Sequence, residues 1–266
     1  MSDASAQSWK IQSSALFKSM VGHYALEREQ MHYFQSQLRL MLEMLGTKKG
    51  RVLSIGCAAG GEFADLLERA CTITGMDYSE EMLRIARQRF AKQDAVSLSR
   101  SDAEALPFAD ASFDIVVCLG VLEYLPGYEK ALRESRRVLK PGGVVIYSLP
   151  TRISQVYAGF HTADMLFGRT WRFLKRLAGR TVGSPVPEHQ RNPCYPWRFQ
   201  RNLREAGLEP YDSAYNTFFV FPLDRLAPAL NLKISAVLQK PLERSPLGWL
   251  GAQYIVAARV KETANH

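Results

Sequence analysis

Residues 51–62, RVLSIGCAAGGE, carry an apolar run into a glycine turn and straight on into a helical pattern. A strand–turn–helix unit of this kind sets backbone N–H groups and a helix N-terminus against a closely held ligand, which points to an α/β fold. Gly56-x-Ala58-x-x-Gly61 fits a degenerate dinucleotide fingerprint. Gly56-x-Ala58-x-Gly60 fits a nucleoside-binding loop of another kind. The turn alone leaves both open.

Apolar positions recur at helical spacing over 13–46 and stop at Gly46, which predicts one or two helices in front of the sheet. Val52–Ile55 reads as a buried strand and Glu62–Ala70 as the helix after the turn. Cys71–Met76 is a second strand ending at Asp77. Ser79 then caps a helix with Glu80 and Glu81 in its first turn and Arg84, Arg87 and Arg89 beyond, an order that suits the helix dipole. Ala95–Leu98, Phe113–Leu119 and Val144–Ser148 are further strands. A helix over Lys130–Leu139 stops at Lys140-Pro141-Gly142-Gly143. Strands alternating with helices imply a parallel sheet covered on both faces. Past Pro150 the rhythm breaks. Residues 151–193 show no strand, Trp197–Ala206 is a helix, Leu208–Phe221 is an extended strand, 222–248 is an irregular insertion and Gln253–Val260 is the last strand.

Four scattered cysteines (Cys57, Cys71, Cys118, Cys194), with no CxxC pair and no histidine cluster, argue against a disulfide framework or a zinc site. They suit a reducing compartment, and Cys57 reads as a packing residue rather than a nucleophile. MSDASAQSWK lacks the apolar core of a signal peptide, and no run of about 20 apolar residues offers a membrane span. The expected location is the cytoplasm. The net charge of +8 is localised: residues 1–150 hold 18 Lys+Arg and 18 Asp+Glu, and residues 151–266 hold 16 and 8. The excess marks the C-terminal part as the half that meets an anionic partner.

Two acidic residues follow the glycine turn at informative places. Asp77 ends the second strand, where a carboxylate accepts hydrogen bonds from a ribose diol at the switch point of an α/β sheet. Asp102, in SDAEALPF, follows the third strand and suits an acceptor for an exocyclic adenine amine. The three loops describe a nucleoside site without saying which nucleoside.

The segments VLSIGCAAGGEFADLL, TGMDYSEEMLRIARQR, SDAEALPFADASFDIVVCLGVLEYL and ESRRVLKPGGVVIYSLP stand in an order and spacing that resemble the class I S-adenosylmethionine-dependent methyltransferases. The likeness is to the type 11 domain group acting on small molecules and lipids, and it covers roughly residues 50–150. It implies a doubly wound, Rossmann-like seven-stranded sheet of order 3-2-1-4-5-7-6, its last strand antiparallel, with helical insertions after strands 5 and 6. It implies four regions: N-terminal helices over the cofactor (1–50), a cofactor-binding core (51–150), an acceptor-binding insertion or lid (151–195), and completion of the sheet (196–266, with an insertion at 222–248). The cofactor implied is S-adenosylmethionine, with S-adenosylhomocysteine as product and no metal. Carried over, Gly56, Ala58 and Gly60 line its methionine part, and Asp77 holds the ribose hydroxyls with Tyr78 beside the adenine. Asp102, helped by the Ala103 amide, meets the adenine amine. Leu119 lies near the cofactor and opens toward the acceptor, and Tyr24 closes over it. This chain departs at two places: Ser54 stands where the family carries an acidic residue, and Ala58 where it carries glycine.

Methyl transfer from a sulfonium is an in-line displacement, catalysed largely by holding donor and acceptor aligned, with a base where the acceptor is protonated. The candidate bases are Glu123, where family members often carry histidine, His161 and His189. Asp164–Arg180 places Leu166, Phe167, Trp171, Leu174 and Leu177 at helical spacing, opposite Arg169, Arg172, Arg176 and Arg180. That basic amphipathic pattern lies either on an anionic membrane surface or, as a lid, on the domain. Phe218–Phe221 and Leu247–Leu250 add apolar bulk to the same half. The expected acceptor is a small hydrophobic or lipid-linked molecule bearing anionic groups, such as a quinone precursor or a polyprenyl- or glycan-linked intermediate, methylated on oxygen or carbon. Two alternatives are RNA methylation, without a recognisable RNA-binding module in its favour, and a non-catalytic cofactor-binding partner subunit.

Overall fold

The computed structural model of the chain describes residues 32–154, 192–218 and 227–260. In chain order they form α1 (His32–Leu45), β1 (Arg51–Ile55), α2 (Phe63–Glu68), β2 (Thr72–Asp77), α3 (Glu80–Arg89), β3 (Val96–Arg100) and β4 (Phe113–Leu119). A 3-10 turn (Leu122–Tyr124), α4 (Glu129–Val138), β5 (Leu139–Pro150), α5 (Pro196–Glu205), β6 (Leu208–Asn216), α6 (Pro228–Leu242) and β7 (Gln253–Val260) follow. Seven strands make one sheet in the order β3-β2-β1-β4-β5-β7-β6. Pairings among β1 to β5 are parallel, and β7 runs antiparallel to both β5 and β6. The expected topology is the observed one.

β1 sits between β2 and β4 with Val52 to Ile55 buried, which is why the strand reads as a continuous apolar run rather than an alternating one. The core is split by the sheet. On one face Leu40 and Met41 of α1, Phe63 of α2 and Leu83 of α3 pack on Val52, Ile73 and Val117. On the other, Leu132 of α4 and Phe199 and Leu203 of α5 pack on Leu53, Val116 and Tyr147. Ser79 caps α3 by accepting the Met82 N–H at 3.3 Å, as the sequence predicts.

Three expectations change. α4 passes into β5 without a separate stop, because Leu139 already pairs with Phe113 and the Pro141–Gly143 stretch forms an irregularity inside the ladder. β6 ends at Asn216, well short of Phe221. Thr217 takes a left-handed φ of +66° that breaks the extended run, and its N–H turns to Gln239 Oε1 at 3.1 Å. Finally, the insertion at 222–248, irregular on its own residues but helical as the resemblance implies, contains α6, fifteen residues long. Among the described residues, no helix is long and apolar enough to cross a membrane.

Candidate functional site

The loop between β1 and α2 reverses the chain in a few residues, and two backbone angles show how. Gly56 has φ +66°, and a Cβ there would come within 2.3 Å of Val121 Cγ2, so glycine is required twice over, by conformation and by space. Ala58 has φ +47°, the left-handed region that costs a residue with a Cβ about 1 kcal/mol. The family-typical glycine that this chain lacks falls at a position where its absence is felt as strain.

Around this turn lies a cleft lined by Ser54, Gly56, Ala58, Gly61 and Glu62, with Leu119 at the end of β4 and Phe34 of α1 completing it. Asp77 ties the turn to the next strand. Its Oδ2 accepts the Ala58 N–H at 2.9 Å and its Oδ1 the Ser79 N–H at 2.8 Å, while the Cys57 N–H donates to the Met76 carbonyl at 2.9 Å. One carboxylate thus orders the glycine turn and the start of α3 together. Burial, with the charges of Asp77 and Glu62, pushes the Cys57 thiol up, so it stays protonated and serves as packing.

The residue that sequence reasoning missed is Glu62. It is buried, and its Oε1 accepts the hydroxyl of the equally buried Ser54. The cleft therefore holds a carboxylate supplied from the start of α2 instead of the end of β1. A signal was available: an acid eight residues past the non-acidic Ser54, at the far side of the same turn. Phe34 was missed as well, and nothing distinguishes it in sequence from the other apolar positions of α1.

Asp102 and Ala103 lie past β3, beside Asp77 in the sheet order, where the Asp102 Oδ1 accepts the Glu104 N–H at 2.9 Å. Tyr78 is exposed, with the Arg100 guanidinium 5.6 Å above its ring. These residues flank the cleft without lining it. Glu123 is different. It is buried and bears electrostatically on Cys118, Tyr128 and Cys194, which belong to the α4–α5 face of the sheet, and it is not among the residues lining the cleft. Tyr24, His161, His189 and the stretch 164–180 lie outside the described residues. Among the described residues, no cluster of three His, Cys, Asp or Glu could hold a metal ion.

Residues 53–147 match the family described as methyltransferase domain. The chain is 38% identical over 141 residues to a demethylmenaquinone methyltransferase of Staphylococcus aureus, an alignment covering 49% of this chain and 58% of that protein. It therefore spans less than two thirds of the length of the curated relatives it matches. An S-adenosylmethionine-dependent methyltransferase of Thermotoga maritima superposes with a TM-score of 0.64 at 22% identity, over 93% of this chain and 99% of that one. A second, from Aquifex aeolicus, does so with a TM-score of 0.58 at 16% identity, over 91% and 97%. Residues 53–147 match a methyltransferase domain, and the seven-stranded sheet they belong to has the fold of the class I S-adenosylmethionine-dependent methyltransferases.

Proposed function

We propose that the protein transfers the methyl group of S-adenosylmethionine to a small hydrophobic acceptor of the quinone-precursor or lipid-linked kind. The observation that carries the reading is the cleft itself. It combines a glycine turn with a buried carboxylate on Glu62, and the acidic residues Asp77, at the end of β2, and Asp102, past β3, flank it.

The donor set fits the cofactor. Backbone N–H groups of the turn and the start of α2 suit its carboxylate, Glu62 its ammonium, Asp77 a ribose diol and Asp102 an amine on adenine. When bound, the cofactor supplies an electrophilic methyl on a sulfonium. The chain's work is placement: Gly56 lets the backbone approach, while Phe34 and Leu119 give the cleft an apolar wall that excludes water. That wall and the positive C-terminal half support an acceptor with an apolar body and anionic or polar groups. The Staphylococcus aureus relative, named for demethylmenaquinone, supports a quinone-like ring.

Calorimetry with S-adenosylhomocysteine tests the cofactor site. Micromolar binding that Asp77→Ala abolishes is expected, and binding unaltered by that substitution would overturn the assignment. Turnover of radiolabelled S-adenosylmethionine with a short-chain demethylated quinone tests the acceptor. A labelled product destroyed by ribonuclease would place the activity on RNA instead, and binding without turnover of any acceptor would mark a non-catalytic subunit.

A further inference from the structure

Helix α6 packs inside out. Asn231, Ser235 and Gln239 recur every four residues, continue to Glu243 just past the helix, and are all buried. Gln239 donates to the Tyr215 carbonyl at 3.1 Å and to Glu243 Oε2 at 3.0 Å, while accepting the Thr217 N–H. Glu243 in turn receives the guanidinium of Arg39 from α1. These bonds fix the rotation of the helix, which leaves Ile234, Leu238 and Leu242 half-buried beside the polar stripe and turns other apolar residues outward. Val237 is left 75% exposed, Leu230 50% and Leu232 46%.

The exposed bulk is concentrated. Of the eight exposed large hydrophobic side chains among the described residues, five lie between 230 and 249: these three, Leu247 and Trp249. The last two flank Gly248, which sits against the carbonyls of Leu242 and Glu243 at the end of α6. Leu230 and Val237, seven residues apart, share one face of the helix, and an exposed apolar face of this kind marks a docking site.

Charge identifies what docks. From Ala227 to Leu242 the chain has no Asp or Glu, and Lys233 and Lys240 are exposed two helical turns apart, on either side of Val237 along the axis. A second copy meeting this face through a two-fold axis would stack lysines on lysines. An anionic bilayer offers an apolar layer for Leu230 and Val237, phosphates for the lysines, and the interfacial depth that tryptophan favours. We propose that α6 and the Leu247–Trp249 turn form the surface by which this protein docks on anionic lipid membranes. The claim stands independently of the transfer reaction.

The test is co-sedimentation of the full chain with vesicles of phosphatidylglycerol and phosphatidylcholine, against phosphatidylcholine alone, at low and high salt. Binding to the anionic vesicles is expected, weakened by salt. The double substitution Leu230→Glu/Val237→Glu should reduce it about tenfold or more, Lys233→Glu/Lys240→Glu should remove the preference for anionic lipid, and Trp197→Ala on α5 should change nothing. Melting temperature establishes that each variant is folded. As a second readout, a polarity-sensitive dye attached through Val237→Cys, the described native cysteines being buried, should shift to the blue with anionic vesicles. No binding by the native chain would overturn the proposal. So would binding untouched by both α6 variants, loss only on Arg169→Glu/Arg172→Glu, or a native dimer that Leu230→Glu/Val237→Glu converts to monomer.

Discussion

Glu62 gives the cleft the charge that Ser54 cannot. A carboxylate buried beside a hydroxyl donor stays ready for a cation, and in a site of low dielectric the pairing is worth more than at a surface. Glu62→Gln should therefore weaken binding of S-adenosylhomocysteine about tenfold or more in calorimetry. The double substitution Ser54→Asp/Glu62→Gln should recover much of that loss by restoring the acid to the strand end. Binding unaltered by Glu62→Gln would remove Glu62 from the site. Ala58 is the second residue-scale test. Its φ of +47° is strained, so Ala58→Gly should raise stability by about 0.5–1 kcal/mol in chemical denaturation, less any entropic cost of the added freedom. These two positions also show what was legible in the sequence at this scale. The departures at Ser54 and Ala58 can be read from the chain alone. The compensating carboxylate cannot be assigned until the turn brings residues 54 and 62 together.

At the scale of elements, the loop after β3 is held by a side-chain pair on α4. The Glu134 carboxylate accepts the Leu106 N–H at 2.8 Å and pairs with Arg137, which also donates to the carbonyls of Leu106 and Phe108 at 2.9 and 2.7 Å. The Arg137 hydrogen bond, outweighing burial, holds the Glu134 carboxyl below its ordinary value of 4.5. A depressed folded-state pKa means the stabilisation is complete above the unfolded value and is lost as the pH falls through the folded one. Glu134→Gln should accordingly lower stability by about 1 kcal/mol at neutral pH, with the gap from the native protein closing as the pH drops below about 4.5. Denaturant midpoints at pH 7 and pH 3.5 read this directly, and a pH-independent gap would refute it. Elements with local punctuation were legible: Ser79 announces α3, and the glycine turn announces α2. α6 was not. Its inward face is polar and its outward face mixes leucine and valine with lysine, so the usual contrast of an apolar core stripe against a polar surface is missing. The end of β6 was illegible for another reason, since its stop is the left-handed Thr217, whose N–H is taken by a glutamine 22 residues away.

Across the whole molecule, β7 enters between β5 and β6 and draws the C-terminal segment back onto the face that carries α1. Arg39 joins α1 to the residue that follows α6. Its guanidinium lies on both carboxylate oxygens of Glu243 and pairs with Glu43 at 2.6 Å, and hydrogen bonding to Glu243 raises its pKa above the ordinary arginine value. Glu243 is buried, so removing the arginine leaves its charge relying on Gln239. A fully buried pair broken on one side costs about 3–5 kcal/mol; Arg39 is 31% exposed, which brings the expectation for Arg39→Ala to about 2 kcal/mol. Adding Glu243→Gln should return part of the loss, because the neutral amide no longer needs the partner. The same helix presents Phe34 to the cleft five residues before Arg39, so loosening α1 should also weaken binding of S-adenosylhomocysteine severalfold in Arg39→Ala. Denaturation and calorimetry on the two single variants and the double decide the matter. Costs that simply add, with cofactor affinity unchanged, would show that the clamp between α1 and α6 does not support the site.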